Sequence, residues 1–318
     1  MRSTRRTTLD SARKVRNDEW YTRKCEIQKE LECYNLANKR IFLNCDSKDS
    51  NFFKYLHENF NLYGIKELIS IGLDFDGKGQ INYSNGEYIT TTTIPQEDGL
   101  FQSDFSKSYL SKADVVITNP PFSKIREWFD VVYKQYNKDF IVLAPMTAIG
   151  YKQIYPFIKD NKVWLGDRKL NRDMYFHISD NDKEYYQKEF KEGSKYKIID
   201  GEIMGRSGSV CWLTSLKHEN KTILPKLSAK FDDREYLKCD NRNAINVNKV
   251  VEIPIDYDGE MAVPLTFIEY LKPNSEYKYN IIGFRKGDDG KDLRVNGKDL
   301  FTRILVRKES YYDNSKQK

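Results

Sequence analysis

Apolar residues along this chain come in short, nearly continuous runs separated by stretches of helical spacing. Arg40–Asn44 (RIFLN), Glu67–Leu73 (ELISIGL), Asp114–Thr118 (DVVIT) and Phe140–Ala144 (FIVLA) are such runs. Runs this short, rich in Ile, Leu and Val, predict strands buried on both faces. Asn51–Phe60 (NFFKYLHENF), Lys124–Tyr136 and Lys152–Lys159 read as helices between or after them. Residues 18–38 read as a further helix, with Ile27, Leu31, Tyr34 and Leu36 as its apolar positions and Asp18 or Thr22 as caps. The Gly-rich stretch Asp76–Asn85 reads as a turn or hairpin, and Tyr88–Ile94 (YITTTTI) as β-prone and exposed. This alternation over residues 40–165 predicts an α/β fold, a parallel sheet with both faces covered.

Beyond residue 165 the pattern changes. Residues 166–208 are polar, charged and without a clear period; Val210–Ser215 (VCWLTS) reads as a strand. After Ala244 come short strands, Gly and Pro turns and many basic residues. The expected organisation is a flexible basic arm at 1–17 and a core at 18–165. A separate region at 166–245, a β-rich part packed on the core at 246–310 and a disordered tail at 311–318 complete it. For the arm, a frayed terminus is as good a reading as a binding element.

Composition narrows the class. Charged residues make up 31%, but 22 Tyr, 17 Phe and 4 Trp can fill a core, so the chain is not of the disordered kind. A net charge of +6 suits a polyanion held by local patches without demonstrating one. Cys25, Cys33, Cys45, Cys211 and Cys239 include no C-x-x-C pair, and their odd number argues against a disulfide framework. With only three scattered His, no metal site is expected. The basic N-terminus lacks the apolar stretch of a signal peptide, and no run approaches the roughly 18 apolar residues of a membrane span. A cytoplasmic location is expected, with no membrane partner.

The chemistry lies in DVVITNPPFSKIREWF. An apolar strand ends at Thr118, and Asn119-Pro120-Pro121-Phe122 follow at its carboxyl end, where open parallel sheets bind ligands. A [DNS]-P-P-[YFW] match arises by chance in a chain this long on the order of 1% of the time. The exocyclic amino nitrogen of adenine is a poor nucleophile because its lone pair is delocalised into the ring. The Asn119 amide oxygen and the Pro120 carbonyl can accept hydrogen bonds from that NH2, favouring an sp3-like nitrogen as it attacks a methyl group. Proline fixes φ and so fixes the direction of the carbonyls; Phe122 offers a ring to stack on a base. The alternative is a Pro-Pro turn with Phe122 in the core. In a duplex such an amino group is reached only by flipping the base out, at about a few kcal/mol.

A methyl donor such as S-adenosylmethionine needs its own pocket. The usual glycine fingerprint after the first strand is absent; Asn44-Cys45-Asp46-Ser47 stands there instead. Asp46 is a candidate for the donor's amino group, or an ordinary N-cap. Asp104-Phe105 could hold and stack the donor's adenine, or lie on a surface loop. Asp74 and Asp76 follow the second strand, where an acid commonly holds ribose hydroxyls, but Asp is frequent in turns. Asp18-Glu19-Trp20-Tyr21-Thr22 is a dense polar and aromatic cluster.

The set DEWYT, NCDS, NFFKYL, SDF, DVVITNPPFS, KVWLG, CWLT, AINVNK, IPIDYDG and FRKG, in this order from about Asp18 to Lys308, resembles the EcoRI-type DNA adenine methyltransferases. The resemblance implies a monomer with a Rossmann-like class I methyltransferase sheet and an attached target-recognition region, which flips adenine in a short palindromic site of duplex DNA. It implies catalysis by Asn119, Pro120, Pro121 and Phe122, and S-adenosylmethionine binding by Trp20, Tyr21, Thr22, Asp46, Asp104 and Phe105. It does not support Asp74 or Asp76. It makes 18–165 the catalytic core and places target recognition in 166–245, where Asp167–Gly208 matches the family least. Candidate DNA contacts are Lys152, Arg168, Lys169, Arg172 and Arg206, with Tyr175 and Phe176 as wedges or core. The FRKG segment Phe284–Gly287 is structural or binds backbone. A cognate restriction endonuclease is a partner that such enzymes allow. Two other readings remain: a methyltransferase for another planar amine, such as RNA adenine or glutamine, and a catalytically inactive DNA-binding relative.

Overall fold

The computed structural model describes residues 21–74, 76–218, 225–271 and 279–309; the expectations for 1–17, Asp18, Trp20 and 311–318 lie outside them. The described residues form two compact units, one within Met1–Tyr155 and Leu165–Asn220, the other within Pro156–Trp164 and Lys221–Lys318.

The first unit is built on an eight-stranded sheet. Its strands are β2 (Arg40–Leu43), β3 (Glu67–Leu73), β4 (Gly79–Ser84), β5 (Ile89–Ile94), β6 (Val115–Thr118), β7 (Asp139–Pro145), β8 (Trp164–Leu165) and β12 (Val210–Thr214), in the order β5-β4-β3-β2-β6-β7-β12-β8. Strands β3, β2, β6 and β7 are parallel neighbours. The parallel expectation fails outside these four. Strands β4 and β5 are antiparallel, and β12 returns antiparallel along β7. For β4 the reason is the short turn after β3: a parallel neighbour needs a crossover of a dozen residues or more, and the chain here allows only a hairpin.

Side chains alternate across this sheet as strand geometry requires. Ile41, Leu43, Val115, Ile117, Ile141, Leu143 and Trp212 share one apolar cluster. That cluster also takes in helix α1 (Lys24–Leu31) through Ile27 and Leu31, and α2 (Asn51–Glu58) through Phe52, Phe53 and Leu56. On the other face Phe140 packs edge-on against Trp128, Phe129 and Tyr133, with ring centroids 5.7, 5.7 and 5.3 Å away. Those rings come from α4 (Ile125–Phe129) and its continuation as π-helical turns through Gln135. Helix α3 (Asp104–Leu110), capped by Ser103, leads into β6; α5 (Tyr155–Lys159) falls, apart from Tyr155, in the second unit.

The helix expected over 18–38 is shorter than its apolar pattern suggested. Thr22 is no cap: with Tyr21 it forms strand β1, paired antiparallel with His177 and Phe176. Helix α1 begins only after Arg23, whose backbone is extended. Ile27, Leu31, Tyr34 and Leu36 are all buried, but the last two from a loop.

The segment that resisted assignment contains β9 (Met174–His177), α6 (Asp180–Glu189), β10 (Tyr196–Ile199) and β11 (Glu202–Ser207). With β1 these strands make a four-stranded antiparallel sheet, β1-β9-β11-β10. Met174, Phe176, Tyr186 and Tyr196 join the core cluster of the first unit.

The second unit holds a sheet of β13 (Ala244–Asn246), β14 (Glu260–Pro264), β15 (Tyr279–Phe284) and β18 (Arg303–Lys308), with a small hairpin of β16 (Arg294–Val295) and β17 (Lys298–Asp299). One apolar cluster of this unit joins Cys239, Ala244, Ala262, Leu293, Val295 and Leu305, and Ile245, Met261, Val263, Phe267, Ile304 and Val306 are fully buried as well.

Candidate active site

Strand order places a crevice before any side chain is considered. Strand β2 is followed in sequence by β3 on one side, while β6 lies on its other side. The loops that leave β2 and β6 therefore diverge at their carboxyl ends, the usual ligand position in such sheets. These loops are Asn44–Ser50 and Asn119–Pro121.

The two loops are joined. The Thr118 hydroxyl donates to Asp46 Oδ2 at 2.5 Å, across 72 residues of sequence. Ser50 also hydrogen-bonds Asp46, and its oxygen accepts the Phe53 N–H at 3.1 Å as the N-cap of α2. From the other side, Trp128 Nε1 donates to Asn44 Oδ1 at 2.9 Å. Asp46 is 6% exposed. Burial pushes its carboxyl up to about 6, with the Thr118 and Ser50 hydroxyls pulling the other way. Among the described residues Asp46 forms no ion pair. Its neighbour Cys45 has its thiol raised well above the usual range, first by burial and then by the Asp46 charge, so it stays neutral. Gly72, near the end of β3, lies against this loop: a Cβ there would lie 2.6 Å from the Asp46 carbonyl carbon, so only glycine permits the approach.

After Thr118 the chain turns. Asn119 is half-buried, with its side-chain oxygen covered. The Lys124 N–H donates to the Pro121 carbonyl at 2.8 Å, so the local turn uses Pro121 and not Pro120. Phe122 is half-buried and packs against the core cluster from its edge. Beyond it, the Arg126 guanidinium lies 4.2 Å from the centroid of the Tyr151 ring, and the Tyr151 hydroxyl is 3.0 Å from Thr147 Oγ1.

Thr22 comes to the same neighbourhood. Asn51, the first residue of α2, donates from Nδ2 to the Thr22 carbonyl at 2.9 Å. Thr22 Oγ1 and Asn44 Nδ2 are buried without a hydrogen-bond partner among the described residues. Tyr21 is exposed beside Thr22 on β1, and Trp20 lies outside the described residues. Asp104 opens α3 with a fully exposed carboxylate 3.5 Å from Lys107, and Phe105 tilts against Tyr109 at 5.2 Å. The hydrogen bonds of the Asp46 crevice do not reach this pair. Asp74 belongs to the β3–β4 turn: it accepts the N–H groups of Asp76 and Lys78 and the Gln80 amide.

The basic candidates divide. Lys152, Lys169 and Arg172 are exposed. Arg168 is largely covered, 3.7 Å from Glu26, and donates to the Arg172 carbonyl. Arg206 pairs with Asp173 at 2.7 Å and donates to the carbonyls of Gly193 and Ser194. Tyr175 is half-buried, while Phe176 is core.

Sequence reasoning missed Thr118, Ser50, Asn44 and Trp128. Ser50 carried a signal, since a serine three residues before Phe53 at a helix start is an N-cap pattern. Thr118 carried one too, as the single hydroxyl at the end of an otherwise apolar strand. Among the described residues no cluster of His, Cys, Asp and Glu could hold a metal ion, and no helix is long and apolar enough to cross a membrane.

A family model described as "Adenine-specific methyltransferase EcoRI" matches residues 8–318. The chain is 36% identical to the Type II methyltransferase M.EcoRI of Escherichia coli, over 94% of this chain and 95% of that one. It is 33% identical to the Type II methyltransferase M.MgeORF184P of Mycoplasma genitalium, covering 95% of this chain and 98% of the other. It is also 33% identical to the Type II methyltransferase M.MpnI of Mycoplasma pneumoniae, over 94% and 97%. No solved structure matches the chain.

Proposed function

The chain belongs to the adenine-specific methyltransferase EcoRI family, and from that premise we propose that it methylates the N6 amino group of a flipped adenine in duplex DNA, with S-adenosylmethionine as donor. The observation that carries this reading is the Thr118–Asp46 hydrogen bond, which ties the loop bearing Asp46 to the strand that presents Asn119–Phe122.

The residues present fit such a donor. A buried carboxylate held by two hydroxyls and facing no protein cation is complementary to a ligand ammonium group. Asp46 is that carboxylate, and the buried Asn44 amide and Thr22 hydroxyl are further polar groups for the methionine and ribose parts. Tyr21 and Phe105 would offer apolar surface to the adenine moiety, with Asp104 as acceptor for its amino group; Trp20 completes this set from the sequence. Bound S-adenosylmethionine supplies an electrophilic methyl group on a sulfonium centre.

The protein's own part is at the target amine. Asn119 Oδ1 and the Pro120 carbonyl accept the two N6 hydrogens, which localises the lone pair and stabilises the positive charge that grows as the N–CH3 bond forms while the donor's S–CH3 bond breaks and S-adenosylhomocysteine leaves. Pro121 shapes the turn, and its carbonyl is already engaged by Lys124. Phe122, backed by the core on one side, stacks on the base and offsets part of the unstacking cost of about a few kcal/mol. The extra proton on nitrogen leaves to water.

Specificity belongs to the region 166–245, with Lys169 and Arg172 as exposed cations for phosphate or base edges and Lys152, which precedes the region, as a further exposed cation. Arg168 and Arg206 act there by holding the segment in shape. A Rossmann-like sheet, a monomeric enzyme and a cytoplasmic location accord with this reading, and a restriction endonuclease of matching specificity is the partner it allows.

Incubation with duplex DNA and methyl-labelled donor, followed by nucleoside chromatography, tests the function. Label is expected in N6-methyldeoxyadenosine, and Asn119→Ala should lower the rate by about 10²–10³-fold. Label confined to RNA or to protein would refute the reading.

A further inference from the structure

Thr118 belongs to neither the catalytic tetrapeptide nor the donor-binding acid, yet it touches one covalently and the other through its hydroxyl. It is fully buried at the end of β6, in the sequence Val115-Val116-Ile117-Thr118. Valine, its isostere, would suit such a strand better, because a buried hydroxyl is costly unless it is hydrogen-bonded. The Thr118 hydroxyl spends its proton on Asp46 Oδ2. We propose that Thr118 is the positioning residue of the donor site: it fixes one oxygen of Asp46, so that the carboxylate stands ready to accept the ammonium group of S-adenosylmethionine while the same strand end presents Asn119. This rests on the reading of Asp46 as the donor's ligand.

The surroundings of Asp46 make the hydroxyl matter. The groups that act on its carboxyl are few: burial raises it, and the hydroxyls of Thr118 and Ser50 lower it. Cys45, beside it on the loop, is a neutral thiol that brings no positive charge. Ser50 comes from the start of α2, where its oxygen is already occupied as the cap. With no cation of the protein paired to Asp46 among the described residues, hydrogen bonds alone favour its charged form. Loss of one of two such bonds therefore shifts the balance toward the protonated acid, which cannot attract an ammonium group.

The hydrogen bond also sets geometry. Asp46 lies on the loop after β2, and Asn119 follows β6 directly. A methyl group must be delivered to an amine within about 3–3.5 Å, and misplacement by about 1 Å is costly. A bond between the two strand ends makes donor loop and catalytic turn one body, and the Trp128–Asn44 bond at 2.9 Å ties the same loop to the helix after the turn.

The test measures S-adenosylmethionine affinity by calorimetry between pH 5.5 and 8 in the full-length wild type, Thr118→Val, Thr118→Ser and Asp46→Asn. In the wild type, affinity falls as pH drops through the Asp46 titration. In Thr118→Val the midpoint should move up by about one pH unit, with Kd about threefold higher near pH 6.5 and about eightfold higher at pH 5.5. Thr118→Ser keeps the hydroxyl and should stay within about twofold of wild type. Adding Thr118→Val to Asp46→Asn should change Kd by less than about twofold, because no carboxylate remains to be held. If Thr118→Val fails to fold by thermal melting, Thr118→Ala takes its place in the same comparison. A substitution that folds, lacks the hydroxyl and keeps the wild-type midpoint overturns this inference alone. Wild-type protein that binds no S-adenosylmethionine at any pH overturns the donor-site reading beneath it.

Discussion

Glu30 and Asp46 are both buried carboxyls of the first unit, at 1% and 6% exposure, and burial raises both, to about 7 and about 6. A search for perturbed acids nominates the two equally. Their partners separate them. Glu30 on α1 accepts the Tyr34 hydroxyl at 2.7 Å and the Asp167 N–H at 3.2 and 3.1 Å, with Arg168 N–H as a further donor. Gly166 presses against it so closely that a Cβ would collide with the carboxyl. Its acceptor sites are filled by fixed protein donors, and the result is a clamp that pins the chain after β8 to α1. Asp46 has two hydroxyls, no cation, and a position at the mouth of the β2–β6 crevice. The comparison teaches that a buried acid marks a ligand site when its donors are incomplete and it stands at a strand's carboxyl end. Burial alone marks only a cost.

Aromatic residues repeat the contrast and give the largest expected effects. Phe176 is fully buried in the same cluster that Phe122 only touches. Phe176→Ala should cost about 3–5 kcal/mol in denaturant unfolding. Phe122→Ala should leave stability within about 1 kcal/mol yet lower kcat/KM on duplex DNA by about 10–100-fold, the worth of a base stacked on a ring. Equal losses of stability in the two would break the distinction. The carboxylates come next. Asp46→Asn should weaken donor binding by about 100-fold with little change in melting temperature, whereas Glu30→Gln should cost about 1–3 kcal/mol of stability and leave donor binding within about twofold. A crossed result, with Glu30→Gln weakening the donor, would reassign the site.

The smallest effect is in pH. Glu30 binds its proton more tightly in the folded than in the unfolded chain, so its contribution is fully present below its ordinary value of 4.5 and is lost as pH rises through about 7. Between pH 5.5 and 7 the wild type should lose about 2 kcal/mol through this group relative to Glu30→Gln, measured by urea unfolding at each pH. Parallel stability curves for the two proteins would show that Glu30 is not the titrating clamp.

Legibility in the sequence follows the same physics. Strands β2, β3, β6, β7 and β12 were readable because burial on both faces makes them short continuous apolar runs. Helix α1 was overextended because Thr22 takes its conformation from Phe176, a partner far along the chain. Strand β9 stayed hidden although its alternation is present: Met174 and Phe176 are buried, but the alternating Tyr175 and His177 are too bulky and aromatic to look solvent-facing. At the site, Asn119–Phe122 and Asp46 could be named because their residue types carry the chemistry. Thr118 and Ser50 each carried a local signal, but their joint clasp on Asp46 was not legible, because only the fold brings Thr118 to Asp46.

The central claim concerns what these parts do together, and the modified bases in cellular DNA report on it most directly. DNA from cells expressing the wild-type chain, or its Asn119→Ala variant, would be sequenced for base modification in a host lacking adenine methylation. The wild type should leave N6-methyladenine within one short recurrent sequence, and Asn119→Ala should leave none. Unmodified adenine in the wild-type cells, or the same marks with Asn119→Ala, would contradict the account.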